Sequence, residues 1–279
     1  MVMEVTVKKK TSKTKTSSSS KKTKGKDRVS GVLGKITKVQ QVHRYLKILI
    51  YAPSGIGKTR LSATAPDPLI IDCNEQGTMS IRDFENVDVY ELAEFEELTN
   101  LMYFLKHGDH NYKSVAFDSI TSLSEAGMRR VLRENAELDA SKDPSMPDRR
   151  DWGKLNQLMR EFILAARDLE MNIIFTALER IRDDEETEES KSMPSLTPGV
   201  MNTALAQVDV VGFLHDAKIK VKGSGKRQPV KRLLVGPSKR YSTKDRLGVF
   251  GRYVIRPDLS VMAEAVGNPG ETPPPEEDE

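Results

Sequence analysis

Two neighbouring side chains, Lys58 and Thr59, stand where chemistry on phosphate is done. They close the stretch Lys47–Thr59, KILIYAPSGIGKT. A lysine ammonium there neutralises β- and γ-phosphate oxygens, and a threonine hydroxyl supplies a hard oxygen ligand for Mg2+. Before them, Ala52-Pro53-Ser54-Gly55-Ile56-Gly57 is a turn of mostly small residues. Backbone N–H groups can converge on a phosphate only through such a loop, because some positions need a positive φ that glycine adopts at little cost. Ser54, Gly55, Ile56, Gly57, Lys58, Thr59 and Arg60 are therefore the candidate phosphate-binding residues, with Mg2+ as the expected metal. Arg60-Leu61-Ser62-Ala63 can start a helix, whose N-terminus would add partial positive charge. The usual first glycine of such a loop is Ala52 here.

Further along, carboxylates fall at the ends of apolar runs. Leu69-Ile70-Ile71-Asp72 leads into Cys73-Asn74-Glu75-Gln76-Gly77-Thr78, and Lys113–Phe117 delivers Asp118-Ser119. In an open α/β sheet, the C-terminal ends of strands are where ligands bind. Glu75 is the candidate general base for the attacking water, with Asn74 and Asp72 competing for the role and a turn-capping job as the bland alternative. Asp118, about sixty residues beyond the loop, is the candidate carboxylate of the Mg2+ shell, acting through water. Ser119 can cap the following helix, and Thr176, ending Asn172–Thr176, is placed to sense the γ-phosphate. His107 and His110 have the spacing of a metal pair but no cysteine companions, so a solvated turn is the favoured reading.

These side chains need a scaffold, and the pattern supplies one. Short β-branched runs at 48–51, 69–72, 87–90, 113–119 and 172–177 read as buried strands. Helical periodicity covers 95–106, 120–138 and 152–169, the last with Leu155, Leu158, Met159, Phe162 and Ala166 on one face. The fold class is α/β, a mostly parallel central sheet flanked by helices. The segment 139–151 reads as a polar loop and 182–198 as a solvated acidic loop. Strands are expected again at 208–214, 218–221 and 232–235, and a short helix ending at Met262–Ala265.

The chain of 279 residues has a net charge of +3 that hides an asymmetry. Residues 1–30 hold ten of the 44 basic and two of the 41 acidic residues, so the remainder is net negative by five. We read 1–30 as a disordered basic arm, 31–266 as one ATPase domain with a short edge strand near Val32–Ile36, and 267–279 as a disordered acidic, proline-rich tail. Such an arm either contacts nucleic-acid phosphates or merely solubilises. A single cysteine excludes an internal disulfide, no apolar run approaches the length of a membrane span, and the N-terminus lacks a signal-peptide core. The expected setting is cytoplasmic, with no membrane partner.

Taken together, the loop, Glu75-Gln76-Gly77-Thr78, Asp118-Ser119, Asp151-Trp152-Gly153-Lys154-Leu155, IIFTAL, Val208-Asp209 and Lys244-Asp245-Arg246 with Gly248 resemble, in order, the phage-encoded RecA-like nucleotide-binding proteins, some of which anneal single strands. The resemblance spans about residues 44–256. It implies a RecA-like P-loop core, ATP hydrolysis with Mg2+, single-stranded DNA as substrate in phage recombination or annealing, and self-assembly into rings or filaments in the host cytoplasm. A single-strand binding protein is a further candidate partner. It assigns Lys58, Glu75 and Asp118 to catalysis, and Lys244 and Arg246 to a pair inserted into a neighbouring subunit's site. Three features depart from the pattern: Ala52, Leu178 after the strand, and one extra residue between Asp72 and Gly77. Two other readings stand beside this one, a P-loop kinase acting on a nucleotide or small molecule, and a nucleotide-dependent binding module without turnover.

Overall fold

The structure, a computed structural model, describes Ile36 and residues 44–139, 142–143, 145–183, 190–220 and 227–267. The chain divides into Met1–His43 and Arg44–Glu279, and every element below belongs to the second unit. The arm at 1–30, the edge strand expected near 32–36 and the tail at 267–279 lie outside the described residues, save Ile36 and Gly267.

In chain order the strands are β1 (Lys47–Ala52), β2 (Pro68–Asp72), β3 (Asp88–Glu91), β4 (Ser114–Asp118), β5 (Asn172–Asp183), β6 (Ser190–Pro194), β7 (Val210–Lys220), β8 (Arg227–Leu234), β9 (Lys244–Asp245) and β10 (Tyr253–Ile255). The helices are α1 (Lys58–Ser62), α2 (Leu98–His107), α3 (Ile120–Leu138), α4 (Arg149–Arg167), α5 (Pro198–Gln207) and α6 (Leu259–Gly267). The sheet order is β10-β8-β7-β1-β5-β4-β2-β3. From β7 to β3 every neighbour is parallel, while β8 and β10 extend the sheet antiparallel. The expected mostly parallel α/β architecture is what the chain adopts.

β1 has a strand on each side and a core on each face, which is why its sequence is an unbroken apolar run. All six of its residues are buried. Leu49 and Tyr51 point into one core with Phe117, Phe175, Leu155 and Met159. Ile48, Ile50 and Ala52 point into the other, with Leu61, Leu214 and Leu259. On the first face α3 and α4 pack closely because Gly127 has no Cβ. A methyl there would stand 3.0 Å from Leu155 Cδ1 and 3.1 Å from Phe95 Cε2.

Sequence and structure differ at four places. α4 begins at Arg149 because Asp148 accepts from the Arg150 and Asp151 N–H groups while Asp151 reaches back to the Asp148 N–H, a capping box. Lys142 and these N–H groups hold the Asp148 carboxyl down to about 2. β5 does not stop near Ala177 but continues as an exposed ribbon to Asp183, pairing with β6. α5 follows, with Pro198 in its first turn. The strands expected at 208–214 and 218–221 are one strand, β7, paired with β8 from Phe213 to Lys220.

Lys47 gives the fold a pH dependence. Its ammonium is buried and donates to the Leu169 and Met171 carbonyls, each at 2.7 Å. Burial pulls it down to about 8, against the opposing pull of Asp209 and Asp168. Below pH 8 both folded and unfolded chains hold this proton, and the folded one bears the full penalty of burying the charge. Between 8 and 10.5 the unfolded chain holds more protons, so stability rises with pH. A shift of this size corresponds to roughly 3 kcal/mol. Tyr51, pushed up by burial, reverses the trend above pH 10, where the unfolded tyrosine ionises first. Urea midpoints at pH 7.5 and 9.5 should therefore rise in the wild type and stay flatter in Lys47→Met.

Candidate functional site

The site lies at the C-terminal ends of β1, β2, β4 and β5. Its first part is the loop between β1 and α1. Gly55 and Gly57 have φ of 79° and 103°, values that explain both glycines. A Cβ on either would meet nothing within 4 Å, so the loop faces open space, as a cradle for a polyphosphate must. Ser54 and Gly55 are exposed and Ile56 half-buried. α1 is five residues long, so the positive end of its dipole is that of little more than one turn, and loop N–H groups carry most of the attraction.

Ala52 now has a reason. Position 52 is the last residue of β1, paired with Leu178, and its methyl is fully buried in the second core. It belongs to the strand rather than to the part of the loop that needs glycine.

Lys58 is buried and folds back to donate to the carbonyls of Ala52, at 3.3 Å, and Pro53, at 3.1 Å. Burial lowers its proton affinity, while Asp118 and Glu75 pull the other way. The Thr59 hydroxyl donates to Asp118 Oδ2 at 2.5 Å. Thr176, level with Ile50 on β5, donates to Asp118 Oδ1. Its hydroxyl thus fixes the carboxylate and is not directed at phosphate, which corrects the expectation that Thr176 senses the γ-phosphate. Burial raises the Asp118 carboxyl, against the lowering effect of its two threonine donors. The Asp118–Ser119 peptide is cis.

The three candidates at the end of β2 differ in geometry. Asp72 Oδ1 accepts from the Glu75 N–H at 2.7 Å and the Gln76 N–H at 3.3 Å, so Asp72 caps the turn. Asn74 is exposed, with φ of 70°. Glu75 turns inward, and its Oε1 accepts from Ser119 Oγ at 2.6 Å and Ser122 Oγ at 2.5 Å. Gly77 brings this loop against the P-loop, its Cβ position 3.3 Å from Thr59 Oγ1.

Three expected residues stand apart. The Arg60 guanidinium forms a fork with Asp83, both contacts at 2.9 Å, so only its backbone is offered to phosphate. Lys244 and Arg246 lie toward the other end of the strands, because β9 pairs with the start of β7, two strands from β1. The strand rise puts that level about 13 Å from the end of β1. There Lys244 donates to the Leu205 and Val208 carbonyls, and Arg246 to the Ala206 carbonyl and Asp209. Both cations cap the C-terminus of α5. Likewise Asp151 and Lys154 bond Asn135, tying α4 to α3. Sequence reading missed Ser122 and the direction of Thr176, since a hydroxyl in a helix or strand carries no signature of its partner.

The donor set suits Mg2+ and a polyphosphate. Thr59 and Asp118 are adjacent hard oxygens, the ligand type Mg2+ takes together with phosphate oxygens and water. Among the described residues, no group of three His, Cys, Asp or Glu is placed to hold a metal; His107 stacks on Tyr103, and His110 on Phe104.

A parallel sheet with β5 between the P-loop strand and the strand bearing Asp118 defines a P-loop nucleoside triphosphatase core. The family model of the AAA domain matches residues 44–247, and the chain belongs to that family. Its members are P-loop ATPases, which generally use ATP and Mg2+. No curated protein matches the chain. Among the described residues no helix is long and apolar enough to cross a membrane.

Proposed function

We propose that the protein is a RecA-like ATPase acting on single-stranded DNA, in phage recombination or annealing in the host cytoplasm. The observation that carries the hydrolytic part is the anchored Glu75 carboxylate beside the Thr59–Asp118 pair. Lys58, Thr59 and the loop N–H groups would hold the triphosphate, and Mg2+, held by Thr59 and through water by Asp118, would supply charge neutralisation when bound. Glu75 would take a proton from the attacking water as the bond between the γ-phosphorus and the ADP oxygen breaks, giving ADP and phosphate. A nucleotide sensor without turnover has no use for a base so placed.

The DNA part is supported by charge and shape at the same end of the sheet. β5–β6 and β7–β8 both continue past the level of Ala52, flanking the P-loop. On one face of the second ribbon Lys218, Lys220, Arg227 and Lys231 are all exposed, and among the described residues only Lys231 has a carboxylate partner, Asp216 at 2.7 Å. Lys220 stands opposite Arg227, an unfavourable like-charge pair that a polyanion would relieve. Trp152 is exposed beside Arg149 and Arg150 in the first turn of α4, a ring available for base stacking. The proposed homo-oligomer would give Lys244 and Arg246 a trans role only after they leave the α5 carbonyls, since their own P-loop is out of reach.

The test is single-stranded DNA binding and DNA-stimulated ATP hydrolysis by the wild type and by Lys218→Ala/Lys220→Ala/Arg227→Ala. The triple variant should lose most DNA stimulation, and its log-affinity against log-salt slope should shrink by about 2. Equal affinity and slope in both proteins would remove this ribbon from the DNA surface. Phosphoryl transfer to a nucleoside in place of water would establish the kinase reading.

A further inference from the structure

We infer that Ser119 and Ser122 are positioning residues for Glu75, together anchoring one carboxylate oxygen so that the other faces the attacking water. The inference rests on the reading of Glu75 as the base. Each serine has one hydroxyl proton, and both protons are committed to the same atom, Glu75 Oε1, at 2.6 and 2.5 Å. Among the described residues Oε2 carries no hydrogen bond. A carboxylate held at one oxygen and free at the other is oriented; a turn cap would be spent on backbone N–H groups, and here Asp72 already performs that task.

Capping of α3 does not account for the arrangement. Ser119 does accept from the Ser122 N–H, but at 3.3 Å this contact is longer than either serine's bond to Glu75. The Ser122 hydroxyl makes no capping bond, and Glu75 comes from a different loop, 44 and 47 residues away in sequence. The loop also bears strain to put Glu75 there. Asn74 and Gln76, on either side, have φ of 70° and 51°, a conformation that asparagine tolerates but that costs about 1–2 kcal/mol at a residue such as Gln76. Strain flanking a single carboxylate is the pattern of a functional position.

Ser122 is the residue to test, since loss of Ser119 would also remove the cap. Ser122→Ala should lower kcat about tenfold, the scale of a slightly misplaced catalytic group, with KM and ATP affinity unchanged. Ser122→Thr, which keeps the hydroxyl, should restore kcat. A second readout needs no nucleotide. The Glu75 side-chain carboxyl 13C resonance, assigned by its loss in Glu75→Gln, should move in Ser122→Ala and return in Ser122→Thr. A hundredfold loss in Glu75→Gln with no more than twofold change in Ser122→Ala would overturn the hold and leave the base intact. Unimpaired turnover in Glu75→Gln would overturn the base, and the inference with it. An altered melting temperature in Ser122→Ala with unchanged kcat and resonance would make the serine a helix stabiliser only.

Discussion

Lys58→Met should weaken nucleotide binding by about a hundredfold or more while leaving the nucleotide-free protein at least as stable as the wild type. The ammonium is buried and lowered in proton affinity by that burial, and among the described residues its hydrogen bonds are only to the Ala52 and Pro53 carbonyls at 3.1–3.3 Å. It is thus a cation held at some cost to the fold, and methionine fills the same channel without a charge to desolvate. With a polyphosphate in the loop the balance reverses. Charge-assisted contacts contribute about 1.5–3 kcal/mol each, so losing two weakens binding by about a hundredfold or more. Thermal melts with and without ATP and Mg2+ read both halves at once. At a hundredfold excess over Kd the wild type should gain about 2.7 kcal/mol, and the variant should gain little while starting no lower.

Asp118→Asn should separate Mg2+ handling from folding. The carboxylate accepts from Thr59 and Thr176, and both hydroxyls can turn to suit an amide, so the variant should fold with a loss of no more than about 1 kcal/mol. Asp118→Ala would instead strand two hydroxyls at about 1–3 kcal/mol each. Removing the charge, however, takes away the carboxylate that the Thr59 hydroxyl bonds. Hydrolysis at millimolar Mg2+ should fall at least about a hundredfold, the range seen when an electrostatic contact to the transition state is lost. ATP affinity in EDTA should stay within a few-fold of the wild type. A Mg2+ titration of turnover alongside calorimetric ATP binding checks this, and unchanged Mg2+ dependence would remove Asp118 from the metal shell.

The parts of the molecule legible in the sequence were those where burial leaves no choice. β1 and β4 are enclosed on both edges and both faces, so their apolar runs and the residues just beyond them, Lys58 and Asp118, stand out. Glu75 was legible as a candidate, but its separation from Asn74 and Asp72 needed the loop's backbone, with Asp72 turned onto two N–H groups. The ribbons β5–β6 and β7–β8 were obscured because past the core they are solvated on both sides. Arg180 to Asp183 and His215 to Lys220 therefore follow charge and turn chemistry more than apolar alternation. α5 escaped because only Val200 and Ala204 are buried in it. Lys244 and Arg246 were legible as a motif, yet a motif carries no address, and the register of β9 against β7 puts them level with the start of β1, away from the P-loop.

The most direct test of the account is phosphate release from ATP by the wild type and by Lys58→Met, with and without Mg2+ and single-stranded DNA. Mg2+-dependent release by the wild type, raised by DNA and absent in the variant, is the predicted result. No release by the wild type under any of these conditions, or equal release by both proteins, would contradict it.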